Sequence, residues 1–305
     1  MSMDRRDFLK FAAAGSTALA IGGSLTAEAD ASATALDSPR NDAFGVLMDT
    51  TFCVGCRKCE WGCNEANEVP KVDKAVFEDK TILTTHRRPD AAAYTVVNQV
   101  AAPPESVQPV YVKIQCMHCN RPACVSACIV GALRKQPEGP VTYDAWKCIG
   151  CRYCMVACPF QIPGYEYTRA LQPRVMKCGF CAERTMKEGR KPGCVENCPN
   201  EALTFGRRGE LRELAHQKIA AAPSRYLNHV YGEYEAGGTS WMYLAGIDFV
   251  RADLPTLGSH AMPSLTEKIQ HGVFKNFVPP LALYGLLGLV MASQRKDDGE
   301  GGNDE

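Results

Sequence analysis

The chemistry in this sequence lies in its cysteines. There are 16 of them in 305 residues, and they fall into four groups of four. The groups are Cys53, Cys56, Cys59 and Cys63; Cys116, Cys119, Cys124 and Cys128; Cys148, Cys151, Cys154 and Cys158; and Cys178, Cys181, Cys194 and Cys198. The first and third have the spacing C-x2-C-x2-C-x3-C, while the middle gap is four residues in the second and twelve in the fourth. A tight loop with this spacing presents three thiolates to one centre, as a [4Fe-4S] cluster requires.

The last cysteine of each group has a different role from the first three. It follows a gap of three residues, enters a helix and points away from the cluster of its own loop. It therefore ligates the second cluster of a pair. Two groups form one two-cluster unit by this exchange. The four groups predict two such units and four [4Fe-4S] clusters, with all 16 cysteines as iron ligands.

Three other uses of cysteine fit the pattern less well. An even number of cysteines is compatible with disulfides, but a disulfide framework does not require one spacing four times, and CxxC neighbours make poor crosslinks. Structural zinc sites use separated CxxC pairs rather than three cysteines in one loop. Covalent haem c is excluded because no CxxC is followed by histidine.

Charge excludes two further function classes. Lys+Arg and Asp+Glu are both 34, so the formal net charge is zero. Neither a basic balance for nucleic acid nor a polybasic run for an anionic membrane surface is present. Five residues beside the ligands are expected either to raise cluster potentials or to be solvated at loop tips: Arg57, Lys58, His118, Arg152 and Lys177.

The elements that position the cysteine loops are short. The stretches "PVTYDAWKC" and "EALTFG" have the pattern of strands, and "NRPACVSACIVGAL" and "CMVACPF" that of short helices. They predict an α+β fold of two interleaved ferredoxin-like units over 45–206. Residues 64–110 form an insertion with no recognisable motif. Residues 207–271 form a docking extension that opens on a helix over about 210–220 and carries four aromatic residues, Tyr231, Tyr234, Trp241 and Tyr243.

The N-terminus predicts export. Arg5 and Arg6, followed by Phe8 and a mildly apolar stretch, are typical of a twin-arginine (Tat) signal peptide, predicted over 1–33. This route carries folded proteins, so clusters inserted in the reducing cytoplasm travel with their thiolates already bound.

The C-terminus predicts a membrane anchor over 272–293. This apolar segment of about 22 residues is about 33 Å long as a helix, which just spans a bilayer core. The crossing requires one helix that continues through Pro279 and Pro280; a buried core helix is the alternative. Arg295 and Lys296 then predict a cytoplasmic tail over 294–305.

The four groups, with their x4 and x12 variations, resemble the iron–sulfur subunits found beside molybdopterin oxidoreductases and some hydrogenases. With the signal, the stretches "YGEYEAGGT" and "SWMYL" and a single anchor, the chain is similar to the HybA-type subunits of periplasmic [NiFe]-hydrogenases. Iron–sulfur beta subunits of exported formate dehydrogenases are the alternative. The resemblance implies a catalytic hydrogenase or molybdopterin subunit as one partner and an NrfD-like, quinone-reactive integral membrane subunit as the other.

The resemblance also implies which cysteines share a cluster, because in that family groups one and four exchange their last cysteines, as do groups two and three. The implied sets are Cys53, Cys56, Cys59 with Cys198; Cys178, Cys181, Cys194 with Cys63; Cys116, Cys119, Cys124 with Cys158; and Cys148, Cys151, Cys154 with Cys128. The chain departs from the family at Asn64 and Ile129, which follow the last cysteines of groups one and two where proline follows the other two.

The sequence thus predicts a non-catalytic electron-transfer subunit at the periplasmic face of the bacterial inner membrane, relaying electrons from a dehydrogenase towards quinone. A first alternative is an enzyme that reduces a small molecule at a cluster with an open coordination site. Sixteen cysteines for sixteen ligand places argue against it. A second is a disulfide-rich structural domain, which would be free of iron.

Overall fold

The computed structural model describes residues 40–101, 109–169, 174–275 and 278–297. The predicted signal peptide over 1–33 lies outside these residues, as does most of the predicted tail. The strands are β1 (Phe44–Asp49), β2 (Thr95–Val100), β3 (Val110–Gln115), β4 (Leu133–Lys135), β5 (Val141–Tyr143), β6 (Gly164–Tyr165), β7 (Val175–Met176), β8 (Leu203–Arg207) and β9 (Trp241–Leu244). The helices are α1 (Lys58–Ala66), α2 (Lys74–Glu78), α3 (Ala123–Ser126), α4 (Tyr153–Val156), α5 (Gly193–Glu196), α6 (Arg208–Ala221), α7 (Ser264–Lys275) and α8 (Val278–Asp297).

A three-stranded sheet of order β8-β1-β9 joins the cysteine region to the segment that follows it. β1 pairs antiparallel with β8 and parallel with β9. Alternate residues of β1 face opposite sides, as the pleat requires. Val46 and Met48 face the core that holds the cysteine loops, and Leu47 packs with Leu211 and Ala215 of α6. Residues beyond 206 therefore complete the same sheet and core.

Three antiparallel hairpins surround the cysteine loops. β2, within the predicted insertion, and β3, which begins at the last residue of that insertion, pair from Thr95 opposite Gln115 to Val100 opposite Val110. β4 pairs with β5, and β6 with β7, on either side of the third cysteine group. The predicted strands in "PVTYDAWKC" and "EALTFG" are β5 and β8, and the predicted helices are α3, α4 and α6.

The described parts of the predicted anchor over 272–293 are helical. α7 is described to Lys275 and α8 from Val278, and Pro279 and Pro280 are helical residues of α8; residues 276 and 277 lie outside the described residues. Across the residues that the structure describes, we find no helix with both the length and the apolar character needed to cross a bilayer.

Candidate iron–sulfur cluster sites

Helices α1 and α5 bring cysteine groups one and four together. They meet at Gly62 and Gly193, where a Cβ on either glycine would collide with the backbone oxygen of the other. Only glycine permits so close an approach. The contact lies directly beside Cys63 on α1 and Cys194 on α5. It holds the two groups close enough for each to lend a cysteine to the other.

One recess contains a complete predicted ligand set. Cys53, Cys56 and Cys59 of the first group line it together with Cys198 of the fourth. We call these four residues site 1. Apolar residues of β1, β2 and β8 complete the wall, and the recess also contains Lys113 of β3.

Electrostatic proximity identifies the neighbours of the remaining cysteines. Burial raises the pKa of the Cys63 thiol, and Cys178, Cys194 and Cys181 raise it further. The pKa of Cys119 is raised by burial and then by Cys116, Cys158 and Cys124. That of Cys154 is raised to about 11 by burial and then by Cys148, Cys128 and Cys151. Each neighbourhood contains one of the implied sets, which we call site 2 (Cys63, Cys178, Cys181, Cys194), site 3 (Cys116, Cys119, Cys124, Cys158) and site 4 (Cys128, Cys148, Cys151, Cys154).

The four sites follow one another in a row. Cys59 of site 1 lies within electrostatic range of Cys194 of site 2. Cys178 of site 2 is similarly close to Cys116 of site 3, and Cys124 of site 3 to Cys154 of site 4. These electrostatic neighbours give the order 1, 2, 3, 4, which differs from the order of the groups along the chain.

All four cysteine loops have the same backbone feature. The residue before the second cysteine is left-handed in each: Gly55 (φ 65°), His118 (φ 48°), Gly150 (φ 72°) and Phe180 (φ 61°). Two of these positions hold bulky residues, for which such a φ is strained. Four loops of different sequence thus share a left-handed residue at one position, although loops one and three have a further one at Arg57 and Arg152 and loop four at Cys181.

Thiols buried in this way are better suited to binding a metal than to reacting as free nucleophiles. Burial raises the pKa of Cys53 to about 11 and that of Cys124 to about 12. Without a metal these thiols stay protonated at neutral pH and are poor nucleophiles, whereas iron binding deprotonates them. Nowhere in the described ranges are three His, Cys, Asp or Glu side chains arranged to hold a single metal ion. A cubane spaces its thiolates more widely than one ion does.

The residues expected to adjust potentials have different environments. Arg57 is buried, but its charge is paired with Glu60, and Lys58 is exposed. Arg152 is exposed and lies against Tyr165. His118 is fully buried, and its Nδ1 accepts a hydrogen bond from the Val141 N–H at 2.9 Å.

Two buried lysines, Lys113 and Lys177, and the half-buried Lys135 lie near the sites. Sequence reasoning identified Lys177, whose Nζ donates to the Val141 carbonyl at 2.6 Å. It missed Lys135, which donates to the His118 carbonyl at 2.9 Å, and Lys113. Burial lowers the pKa of Lys113, but the thiolates of Cys194, Cys59 and Cys178 outweigh that effect and raise it. No local signal separates these lysines from surface ones.

The aromatic residues of the extension mostly form the core beside the sites. Tyr231, Trp241 and Tyr243 are buried, whereas Tyr234 is 52% exposed. The Trp241 ring lies edge-on to Phe180 of the fourth cysteine loop, with 6.3 Å between ring centroids. The extension therefore covers the cysteine loops directly.

Comparison with known proteins agrees with this geometry. A family model described as a 4Fe-4S dicluster domain matches residues 107–208. A protein of Nitratidesulfovibrio vulgaris is 49% identical over 87% of this chain and 70% of its own length. The hydrogenase-2 operon protein HybA of Escherichia coli O157:H7 is 35% identical over 99% of both chains. The nitrate-inducible formate dehydrogenase iron-sulfur subunit of Escherichia coli K12 is 33% identical over 79% of this chain and 80% of its own.

Proposed function

The chain belongs to the family of iron–sulfur electron-transfer subunits that includes HybA and the iron–sulfur subunits of formate dehydrogenases, and we propose that it relays electrons from a periplasmic hydrogenase towards a membrane quinone-reactive subunit. It carries multiple [4Fe-4S] clusters, each of which supplies a one-electron redox couple. We further propose that there are four, at sites 1 to 4.

The observation that carries this proposal is the recess at site 1. Cys198 lies there beside three cysteines more than 130 residues earlier in the chain. A free loop gains nothing from such an exchange, whereas a cluster needs a fourth ligand. The same exchange at the other sites supports a continuous row of redox centres. With every ligand position assigned to cysteine, no coordination site is left for a small-molecule substrate.

Two observations support docking of a partner at the end of the row formed by sites 3 and 4. Cys151 is exposed, and Ile129, Trp146, Ile149 and Val156 around this site are 62–91% exposed. Apolar patches of this kind are typical of interaction sites. Arg121, beside α3, forms an ion pair with Glu267 of α7 at 2.5 Å, so the C-terminal segment starts next to site 3. We propose that the membrane partner binds at this end and the catalytic subunit at site 1.

Helix α8 supports an apolar partner. Its apolar side chains are exposed on several faces: Leu283, Tyr284, Leu286, Leu287, Leu289 and Met291. A helix that is apolar all round is normally buried in protein or lipid. We propose that it packs against the NrfD-like membrane subunit and holds the chain at the periplasmic face of the inner membrane.

We prefer a hydrogenase to a formate dehydrogenase as the catalytic partner because the sequence similarity to HybA extends over 99% of both chains. Affinity purification from mild detergent, with identification of what co-purifies, tests this preference. Recovery of a hydrogenase is expected. Recovery of a molybdopterin subunit instead would overturn the choice of partner and leave the electron relay intact.

Iron and sulfide analysis with EPR spectroscopy tests the relay itself. Four clusters with only cysteine ligands are expected. A cluster with a non-cysteine ligand would favour the small-molecule enzyme, and a colourless, iron-free protein would favour the disulfide-rich domain. Replacing Cys198 by Ala should remove the cluster at site 1 and spare the one at site 2; loss of site 2 alone would contradict the exchange.

Substitutions in the predicted signal peptide test whether the protein is exported by the twin-arginine route. Replacing Arg5 and Arg6 by Lys should leave a cluster-loaded protein in the cytoplasm. If the variant still reached the periplasm with its clusters, the twin-arginine assignment would be wrong.

A further inference from the structure

Lys113 of β3 is a buried cation with no acidic partner among the residues that the structure describes. Lys113 is 1% exposed. Nζ donates to Gln115 Oε1 at 2.9 Å and lies 4.3 Å from the centroid of the Trp241 ring. Within the described ranges no carboxylate forms an ion pair with it. A fully buried charge is costly unless an opposite charge balances it, so this lysine requires a negative partner.

The negative partners available to Lys113 are the predicted cluster ligands. The lysine lines the recess of site 1 with Cys53 and Cys59. It is also within electrostatic range of Cys194 and Cys178 of site 2. Lys113 therefore lies at the junction of the first two sites. Lys135 is within electrostatic range of Cys119 and Cys116 of site 3, and Lys177, also in range of site 3, donates to the Cys178 carbonyl at 3.1 Å.

A four-thiolate [4Fe-4S] cluster is anionic, and reduction adds one more negative charge. A fixed cation nearby stabilises the reduced form more than the oxidised form. The effect is large in a buried site, where the effective dielectric constant is about 20 and not 80, and where salt screens little. Arg57 also lines the recess of site 1, but it is ion-paired with Glu60, a carboxylate that it shares with Arg87, so its charge is partly offset.

We propose that Lys113 is a potential-setting residue that raises the reduction potentials of the clusters at sites 1 and 2, an inference that rests on the cluster sites proposed above. Its charge favours electron entry at this end of the row. The packing of Trp241 and Gln115 against Nζ fixes where that charge lies.

The test is a reductive titration of the holoprotein followed by EPR. Lys113→Met and Lys113→Gln remove the charge at similar length, and Lys113→Arg keeps it. Lys58→Met is the matched control, because Lys58 is adjacent to the ligand Cys59 but exposed. In the neutral variants two clusters should become at least about tenfold harder to reduce, which is about 59 mV for a one-electron couple. Lys113→Arg and Lys58→Met should match the wild type.

Every outcome of this experiment decides the proposal. Neutral variants with full iron content and unchanged potentials would overturn it, as would an equal change in Lys58→Met. Loss of iron from both neutral variants but not from Lys113→Arg would support it, because charge and not shape would then be what the clusters need. Loss from all three would overturn it. A wild-type protein without clusters would instead refute the proposed function.

Discussion

Glu60 holds the region 64–110 against site 1, and its removal should release iron quickly. Its Oε2 accepts hydrogen bonds from Arg57 Nε at 3.2 Å and Nη2 at 2.9 Å. Its Oε1 accepts from Arg87 Nη2 at 2.6 Å and from the Val97 N–H at 2.7 Å. Glu60 lies on α1 next to the ligand Cys59, so one carboxylate joins the cysteine loop to β2.

Glu60→Gln keeps the shape but leaves two arginines facing an amide. Arg57 and Glu60 are 3% and 5% exposed, so water does not compensate. Removing one partner of a buried ion pair costs about 3–5 kcal/mol. Since about 1.36 kcal/mol corresponds to tenfold in rate, we expect cluster loss to accelerate by about 100-fold or more.

The assay is the rate at which the visible iron–sulfur absorbance disappears in a chelator at fixed denaturant concentration. Glu65→Gln is the control, because Glu65 is on the same helix and exposed; its rate should stay within about twofold of the wild type. A Glu60→Gln rate within about threefold of the wild type would refute the view that this network holds site 1 closed.

Three further predictions concern the packing around the sites. Gly193→Ala should separate α1 from α5 and lower the iron content to about half, because sites 1 and 2 depend on that contact. Gly258→Ala is the control, because a Cβ at Gly258 would enter open space. A full iron content in Gly193→Ala would contradict this prediction. Arg208→Lys should lower the free energy of unfolding, measured in denaturant, by about 2–3 kcal/mol. The reason is that a lysine cannot make all the hydrogen bonds that the buried guanidinium donates to three carbonyls in residues 232–239. A change below about 1 kcal/mol would count against this role. Tyr243→Phe should lower the free energy of unfolding by about 1–3 kcal/mol in the same assay, because it leaves the Gln115 side-chain amide and the Lys113 carbonyl without their hydrogen-bond partner. An unchanged free energy of unfolding would show that water satisfies these two groups.

The family and the cofactor could be predicted from the sequence because both depend on local spacing. Three cysteines in one loop are brought together by a few backbone angles, so their separation in the chain already indicates a [4Fe-4S] cluster. The short strands β5 and β8 and the helix α6 were predictable for the same reason, since their patterns lie within a few residues.

What only the tertiary structure decided depends on contacts between distant segments. The approach of Gly62 to Gly193 and the pairing of β9 with β1 join parts of the chain that lie far apart in sequence. Lys113 is the clearest case. In "VYVKIQ" it alternates with apolar residues, a pattern typical of the exposed face of a strand. Trp241, which lies more than 120 residues further along the chain, covers that face and buries the charge between two proposed cluster sites. The environment of a charge is set by everything that packs around it, and no local pattern contains that information.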